Sequence, residues 1–595
     1  MGASIPTRIA RLFSPTTPIT SICQIQGNGD TTPYESQFVR TEGVVVVDFD
    51  DESEKGFFIQ DENCDGDPNT SDGIFIYTGQ KTDIVSPGDW VEVEGTAQEF
   101  FGLTEISAIP AGVTVTSSGN PLPNPVDLSP PFDNDQSQNY FEANEGMYVK
   151  LDDARVVGPT DARGDTFVVR ADLGISRVFR DDAAGTGEVV PVGEGGPFKI
   201  APDAAVGDQV LGLLGVLDYS FGAYHLQLLA PPTLLSGGTG LYRSPAPTKA
   251  PATSVMQQPS SPFPFRIATL NLHNLFDTAD DPNTQDTVLS GGDYQKKLTK
   301  LALTIHDELG EPVLVAVQEA ENDAVLQALV NRLEADYGFL WEDGPDVRGI
   351  DLALLYQTGR VTVFSYETRQ GCTTLIDGLG PDGNLDVQNP SNAVTCDTDG
   401  DGVNDGNRLF SRPPLLAQVQ VCETACGSGN VRDLWLIAVH LKSKSQDTDD
   451  SEYTLPRRLE QAQFLADLYQ ELVNAGPDAE VIVLGDFNDY FSSSPLAALT
   501  GAGLANLLSF VPHDERYTFI YRGVSQTLDH VLVSQALLAA PGEGLFPGIM
   551  HVNADYPASL EGDDAIPTRA SDHDPVVVDF VVLTEAIYLP VVVGD

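Results

Sequence analysis

The sequence predicts a multidomain chain: two small all-β barrels followed by an α/β domain. Three observations predict it. Apolar runs cut by turn residues fill residues 17–120 and 130–235. A segment of the first stretch realigns loosely with one of the second. Beyond residue 262, strand-like runs alternate with helix-like ones.

Residues 1–16 read as a tail. The first barrel is expected over 17–120, from runs such as RTEGVVVVDF, GFFIQ, GIFIYTG and DWVEVEGTAQEF. The second, over 130–235, carries GMYVKLDDARVV, DTFVVRA and DQVLGLLGVLDY. VSPGDWVEVEGTAQEFFGLTEI from Val85 and AAVGDQVLGLLGVLDYSFGAYHLQLL from Ala204 share Gly-Asp, an alternating strand, an aromatic-Gly turn and a second strand. Residues 236–262, rich in Pro, Ser and Thr, have linker composition. In 263–583, RIATLNL precedes YQKKLTKLALTIHDEL, VLVAVQE precedes DAVLQALVNRLEADYG, and LWLIAVHLK precedes RRLEQAQFLADLYQEL, with VIVLGDF after it. That alternation implies sheets covered by helices. Residues 584–595 read as a last strand or a tether.

The 595 residues are too many for one core. No stretch approaches the roughly 20 apolar residues that span a bilayer, and no obligate protein partner is evident. The formal charge is −55, because 32 basic residues face 87 acidic ones. Such a surface repels polyanions at long range, which counts against tight nonspecific binding of nucleic acid through Lys and Arg. It leaves open an enzyme that holds phosphate through divalent cations; solubility in a salty, calcium-rich setting explains the acidity equally well. None of the six cysteines has a zinc spacing with His. The expected use is disulfides, Cys23–Cys64, Cys372–Cys396 and Cys422–Cys426, which implies an oxidising, extracellular or cell-surface setting. The opening MGASIPTRIARLF lacks the apolar core of a signal peptide. Either the chain is trimmed or the cysteines are unpaired.

Polar residues close the apolar strands of the third region. Asn271 and Asn274 end one, Gln318-Glu319 another, His440 a third, and Asp486 and Asn488 a fourth; Asp529 and Asp572-His573 lie in two more. Any one of these reads equally well as a cap or turn. Together they are carboxylates, amides and imidazoles at sheet edges, where active sites form. Oxygen-rich donors suit Mg²⁺, Mn²⁺ or Ca²⁺ better than Zn²⁺.

The segments TLNLHNLFD, VQEAEN, RGIDLALLY, FSRPPL, VHLKSK, GDFND, TLDHVLVS and SDHDPVVV, in this order over about 320 residues, resemble the endonuclease/exonuclease/phosphatase superfamily, which includes deoxyribonuclease I. The whole resembles large extracellular bacterial nucleases, in which oligonucleotide-binding-like barrels precede the catalytic domain. The resemblance implies a four-layer α/β sandwich and a metal-dependent phosphodiesterase. It implies Asn271, Glu319 and Asp572 as ligands of a catalytic Mg²⁺ or Mn²⁺. Asp486 and Asn488 would position the attacking water or a second ion. His573, oriented by Asp529, would be a base or a phosphate contact, and His440 would stabilise the pentavalent phosphorus or protonate the leaving oxygen. Arg412 and Asn274 would contact phosphate. Val439 stands where relatives often carry Asn, removing one hydrogen bond there. Asp351 is either a supporting residue behind the site or a strand-start residue.

Two acidic loops are candidate structural calcium sites. In one, Asp397, Asp399, Asp401 and Asp405 alternate around Gly402, with Val403 as a carbonyl ligand, but Arg408 stands where an EF-hand has its Glu. In the other, Asp61, Asn63, Asp65 and Asp67 lead to Asp72. The bland reading of both is a solvated acidic turn. Barrel aromatics (Phe57, Phe58, Phe75, Tyr77, Phe100, Phe101, Phe221 and Tyr224) are expected in the core rather than as base-stacking platforms. Three functions remain: a secreted nuclease acting on DNA, with RNA left open as a further substrate, a phosphodiesterase or phosphatase for a small or lipid phosphoester, and an inactive calcium-binding surface protein.

Overall fold

The structure is a computed structural model describing residues 18–62, 64–193, 201–236, 263–376, 393–445, 447, 452–540 and 542–582. The expected tails, most of the linker and Asn63 lie outside the described residues. The chain divides into two units, Met1–Thr239 and Gly240–Asp595.

The first unit contains two five-stranded rings. One is a closed barrel of Phe38–Phe49, Gly56–Gln60, Gly73–Tyr77, Leu103–Ser117 and Trp90–Phe100, hydrogen-bonded in that order. The other runs Tyr148–Gly158, Thr166–Arg170, Val190–Val192, Ala223–Leu228 and Gln209–Ser220, and closes by pairing Gln209–Ser220 with Tyr148–Gly158. Both rings connect strands in the order 1-2-3-5-4, and in both the third and fifth strands are the parallel pair. The two segments that align in sequence supply the fourth and fifth strands of each ring. Alternation packs one face of every strand inward. Val45, Phe57, Ile59, Ile74, Val91 and Ile106 fill the first ring, and Val149, Val168, Val190, Leu213 and Leu226 the second.

Phe57, Phe58, Phe75 and Tyr224 are buried as expected. Phe100, Phe101 and Phe221 are not, at 53%, 85% and 67% exposed. They sit where the fourth strand turns into the fifth, and Phe101 and Phe221 have left-handed φ of 53° and 50°, which takes them out of the strand alternation.

The second unit holds two six-stranded sheets. The first contains Tyr337–Trp341, Asp351–Gln357, Leu314–Ala320, Phe265–Leu275, Val576–Val582 and Glu543–Ile549, in spatial order. The second contains Val361–Thr368, Leu415–Cys422, Val431–His440, Val481–Asp486, Asp529–Val533 and Ala505–Asn506. Period-two burial separates three cores. Ile267, Leu314, Leu354, Leu436, Leu484 and Val531 pack between the sheets. Leu270, Val315 and Val317 face outward onto the helices Gly291–Leu303 and Asp323–Val330. Ile437, Val439, Val481 and Val483 face the helices Leu455–Ala475 and Ser494–Gly501. Helix, sheet, sheet and helix thus form four layers, which explains why the central strands are apolar on both faces.

The helical pattern DAVLQALVNRLEADYG is only half helix. It stops at Val330, and Tyr337 begins a strand instead. Tyr337 pairs with Gln357 across the sheet edge and donates its hydroxyl to the Pro312 carbonyl, tertiary contacts that local periodicity does not register. All three expected disulfides are present.

Candidate active site

The sheet register gathers the polar strand ends along one edge. Val431–His440 and Val481–Asp486 run parallel, with His440 opposite Asp486. Asp529–Val533 runs antiparallel to the latter, so its first residue, Asp529, lies opposite Asp486. In the other sheet, Asn271 lies opposite Gln318 on parallel strands. The strand after Asp572-His573 runs antiparallel to Phe265–Leu275 and pairs Val576 with Thr269, bringing its leading loop to the same edge. Asp486 and His440 are adjacent because Gly485 lets two strands come close. At φ 141°, a Cβ on Gly485 would run into the Val439 carbonyl.

Asp486, 2% exposed, is the centre of the group. Its Oδ1 accepts the Asn488 amide at 2.7 Å, and its Oδ2 accepts Asn271 Nδ2 at 3.2 Å and lies 3.5 Å from His440 Nε2. Glu319 Oε1 stands 3.8 Å from the same His440 nitrogen, while its Oε2 accepts the Asn274 amide at 2.7 Å. His573 Nδ1 lies 2.7 Å from Asp529 Oδ2, and the His573 ring tilts against Phe519, centroids 4.9 Å apart. His273 Nε2 is 3.8 Å from Asp572. His273, Asn274, Glu319 and Asn488 all hold left-handed φ, between 49° and 66°, strain of the kind that clusters at functional sites.

Burial and charge separate the two histidines. Burial, followed by the fields of Arg412, Arg348 and His573, holds His440 well below the ordinary imidazole range, so it is neutral. Among the described residues its Nδ1 has no hydrogen-bond partner. Burial also presses His573 downward, but the Asp529 and Asp486 charges and the Asp529 bond overcome it and raise His573 well above that range. Burial pushes Asp486 up to about 7 against the pull of His573. Burial also resists ionisation of Asp572, but His273, His573 and Arg569 bring it down to about 2.

Arg412 is placed differently from the expected phosphate contact. It is 4% exposed, with Nη1 on Asp346 Oδ2 and Nη2 on the Leu441 carbonyl, both at 2.9 Å. Both terminal nitrogens are committed to the protein, and they brace the residue after His440. Asp351 is also buried, accepts the Gly344 amide at 3.1 Å, and is pushed up to about 7 by burial, with Asp343 and Asp346 adding to it. Its neighbours are therefore this Arg412–Asp346 pair.

Several residues of the site carry no strand-end signature. Asp346 and Arg348 belong to the loop before Asp351, with Arg348 Nε 3.5 Å from Asp346. Asp574 accepts the amides of Val552, Asn553 and Ala554 and lies 2.9 Å from His551 Nδ1. Asn553 in turn donates to the His573 carbonyl at 2.6 Å and accepts the Ala570 amide, fixing the loop that carries Asp572 and His573. Lys297 donates to the His273 carbonyl. The Asp after His573 in SDHD is the one local signal that could have found this clamp.

Residues 266–377 and 424–546 match the profile of the Endonuclease/Exonuclease/phosphatase family. Over those residues the C-terminal unit resembles this family. Members of this family cleave phosphoesters by hydrolysis. Residues 108–236 match a family described only as a domain of unknown function. Comparison with curated proteins finds no match. Similar solved structures include a humanized D. rerio TDP2 (18% identity, 54% of this chain and 99% of that one, TM-score 0.34). The human Nocturnin catalytic domain with bound sulfate is similar too (15%, 54% and 94%, 0.33). So is a Bacteroides thetaiotaomicron mannosyl-6-phosphatase (16%, 53% and 99%, 0.32).

The donor set of this edge fits a divalent cation. One ligand atom each from Asp486, Asp529 and His573 lies within 4.8 Å of the others, and Asn271 and Glu319 border Asp486 and His440. Oxygens and imidazoles without a thiolate select hard or borderline ions. The two acidic loops are organised otherwise. Asp397 accepts the amides of Asp399, Gly400 and Gly402, and Asp405 accepts that of Thr398; these bonds, led by Gly402 and Thr398 respectively, lower both carboxyls. Asp397, Asp399 and Asp401 nevertheless place ligand atoms within 4.8 Å. In the other loop, Asp65 and Asp67 accept the amides of Asp67 and Asn69, and burial, then the charges of Asp65 and Asp61, push Asp72 up to about 6.

Proposed function

We propose that the C-terminal domain hydrolyses phosphodiester bonds of nucleic acid, DNA first and RNA second, by in-line attack of water. The observation that carries this reading is the Asp529–His573 pair, 2.7 Å apart, with Asp529 and His440 opposite or beside buried Asp486 in one sheet and Asn271 and Glu319 reaching Asp486 and His440 from the other. A Mg²⁺ or Mn²⁺ held by Asn271, Glu319 and Asp572 would polarise a phosphoryl oxygen. Asp486 and the Asn488 side chain hold the water in line. Asp529 fixes the orientation of His573, which pairs with a phosphoryl oxygen as the imidazolium and would take the water's proton only as the neutral imidazole. His440 Nε2 faces the same group and serves the leaving oxygen. Asn274 contacts phosphate from its left-handed turn, and Arg412 acts by holding Leu441 and hence His440. The order 1-2-3-5-4 supports an oligonucleotide-binding-like class for both rings. Three disulfides support an extracellular or cell-surface location, and among the described residues no helix is long and apolar enough to cross a membrane. Calcium is proposed for the 397–405 and 61–72 loops in a structural role.

The charge of −55 favours a second reading, a small phosphodiester or phosphomonoester. The deciding experiment is digestion of supercoiled plasmid with Mg²⁺, Mn²⁺ or chelator, alongside Asp486→Ala. Metal-dependent nicking that the variant loses supports the nuclease. Full activity in excess chelator sinks the metal-dependent mechanism. A folded, metal-loaded enzyme that spares linear and single-stranded nucleic acid but cleaves bis(4-nitrophenyl) phosphate moves the assignment to the small ester.

A further inference from the structure

The first ring carries a group of carboxylates that no part of the proposed hydrolysis uses. Asp48 lies near the end of the strand Phe38–Phe49, Asp50 just beyond it, and Asp83 on the segment that returns to the ring before the fourth strand. One ligand atom from each lies within 4.8 Å of the other two. An acidic cluster at a surface means little alone, but here Asp50 is 0% exposed. Its Oδ2 accepts the amides of Ile84 and Val85 at 2.8 and 3.3 Å, while its Oδ1 is buried without a hydrogen-bond partner among the described residues. Asp48 spends Oδ1 on the Asp50 amide at 3.1 Å, and the Asp50 carbonyl accepts the Thr82 amide at 3.0 Å.

A water-excluded carboxylate oxygen beside two further carboxylates is unfavourable unless a positive charge meets it. A proton shared by Asp48 and Asp50 would settle one pair and leave Asp83 opposed. A divalent cation meets all three. We propose that Asp48, Asp50 and Asp83 bind one Ca²⁺, which pins the segment around Thr82–Val85 to the end of the Phe38–Phe49 strand. Calcium suits the site because it accepts oxygen-only ligands in irregular geometry, whereas Mg²⁺ demands a near-ideal octahedron. The exposed side at Asp83 gives water access to the remaining coordination positions. This site is independent of the catalytic assignment and of the two acidic loops.

The test is equilibrium dialysis of the full chain against radiolabelled calcium, wild type beside Asp83→Asn and Asp48→Asn/Asp83→Asn. Both variants keep the Asp50 carboxylate that anchors the Ile84 and Val85 amides, so the fold survives them. The expected result is one bound ion fewer per chain in the double variant, with a weakened site in the single one, and a smaller rise of Tm with calcium in both. Equal ion counts and equal calcium-induced shifts in all three proteins overturn the proposal. A Tm gain in Asp50→Asn that is the same in calcium and in chelator also overturns it, because it identifies a shared proton instead.

Discussion

Replacing Asp529 by Asn tests the central pair of the site. Asn preserves size, and the backbone at this position is held by other groups. The Leu528 and Asp529 amides both donate to Thr518 Oγ1, at 3.1 and 3.2 Å. The variant therefore folds, and removing a charge beside buried Asp486 relieves repulsion rather than adding it. What is lost is a charge-assisted bond at 2.7 Å between side chains only 2% and 9% exposed. Such a bond contributes about 1.5–3 kcal/mol, so kcat falls about 10- to 150-fold at about 1.36 kcal/mol per tenfold. If the amide also presents its NH₂ to Nδ1 and forces the other tautomer, the loss extends toward the roughly 10⁴-fold ceiling of acid–base catalysis. The assay is the initial rate of plasmid nicking or bis(4-nitrophenyl) phosphate hydrolysis at saturating Mg²⁺, with Tm measured in parallel. The double variant with His573→Gln should be no slower than His573→Gln alone, since the two groups act as a unit. Asp529→Asn turnover within about threefold of wild type, well under the loss that such a bond implies, would refute the reasoning. So would a double variant whose cost is the product of the single costs.

Asp346→Ala leaves the Arg412 guanidinium buried without its carboxylate, and breaking a pair this enclosed costs about 3–5 kcal/mol; urea denaturation measures it, and a cost below about 1 kcal/mol, the range of surface pairs, would show that water reaches Arg412. Gly485→Ala forces a Cβ against the Val439 carbonyl at a φ that L-residues avoid, so both Tm and activity should drop; an unchanged variant would mean that the two strands separate freely. Burial pushes Glu105 in the first unit up to about 7, partly offset by Gln98 and reinforced by Asp218. The folded state then keeps a proton that the unfolded chain releases near 4.5, so this group's contribution to stability falls as pH rises from about 4.5 to 7 and is flat above. Glu105→Gln should flatten that part of the profile in denaturant titrations at pH 5 and 8. An unaltered slope would assign the pH dependence elsewhere.

Much of the site was legible because the relevant chemistry is written locally. An apolar run of strand length that ends on His440, Asp486 or Glu319 states both the element and the polar terminus, and GDFND or SDHD states the residue types in order. The glycine and aromatic pairs of the two barrel segments likewise mark the fourth and fifth strands of each ring. The helical run from Asp323 misled past Val330 because Tyr337 answers to a partner strand and a distant carbonyl. Phe101 and Phe221 misled because a left-handed turn breaks the alternation that placed them inside.

By itself the sequence determined most strands and helices and their apolar faces, and which polar residues are available for chemistry. These follow from interactions between near neighbours and from periodicity. Only the tertiary structure decided that parallel His440 and Asp486 and antiparallel Asp529 meet at one edge, because strand direction and register depend on pairings between distant segments. It decided that Arg412 is buried on Asp346 and Leu441 rather than exposed to a phosphate. It decided too that Asp83 joins Asp48 and Asp50, whose orphaned oxygen becomes visible only once the surrounding ring has excluded water.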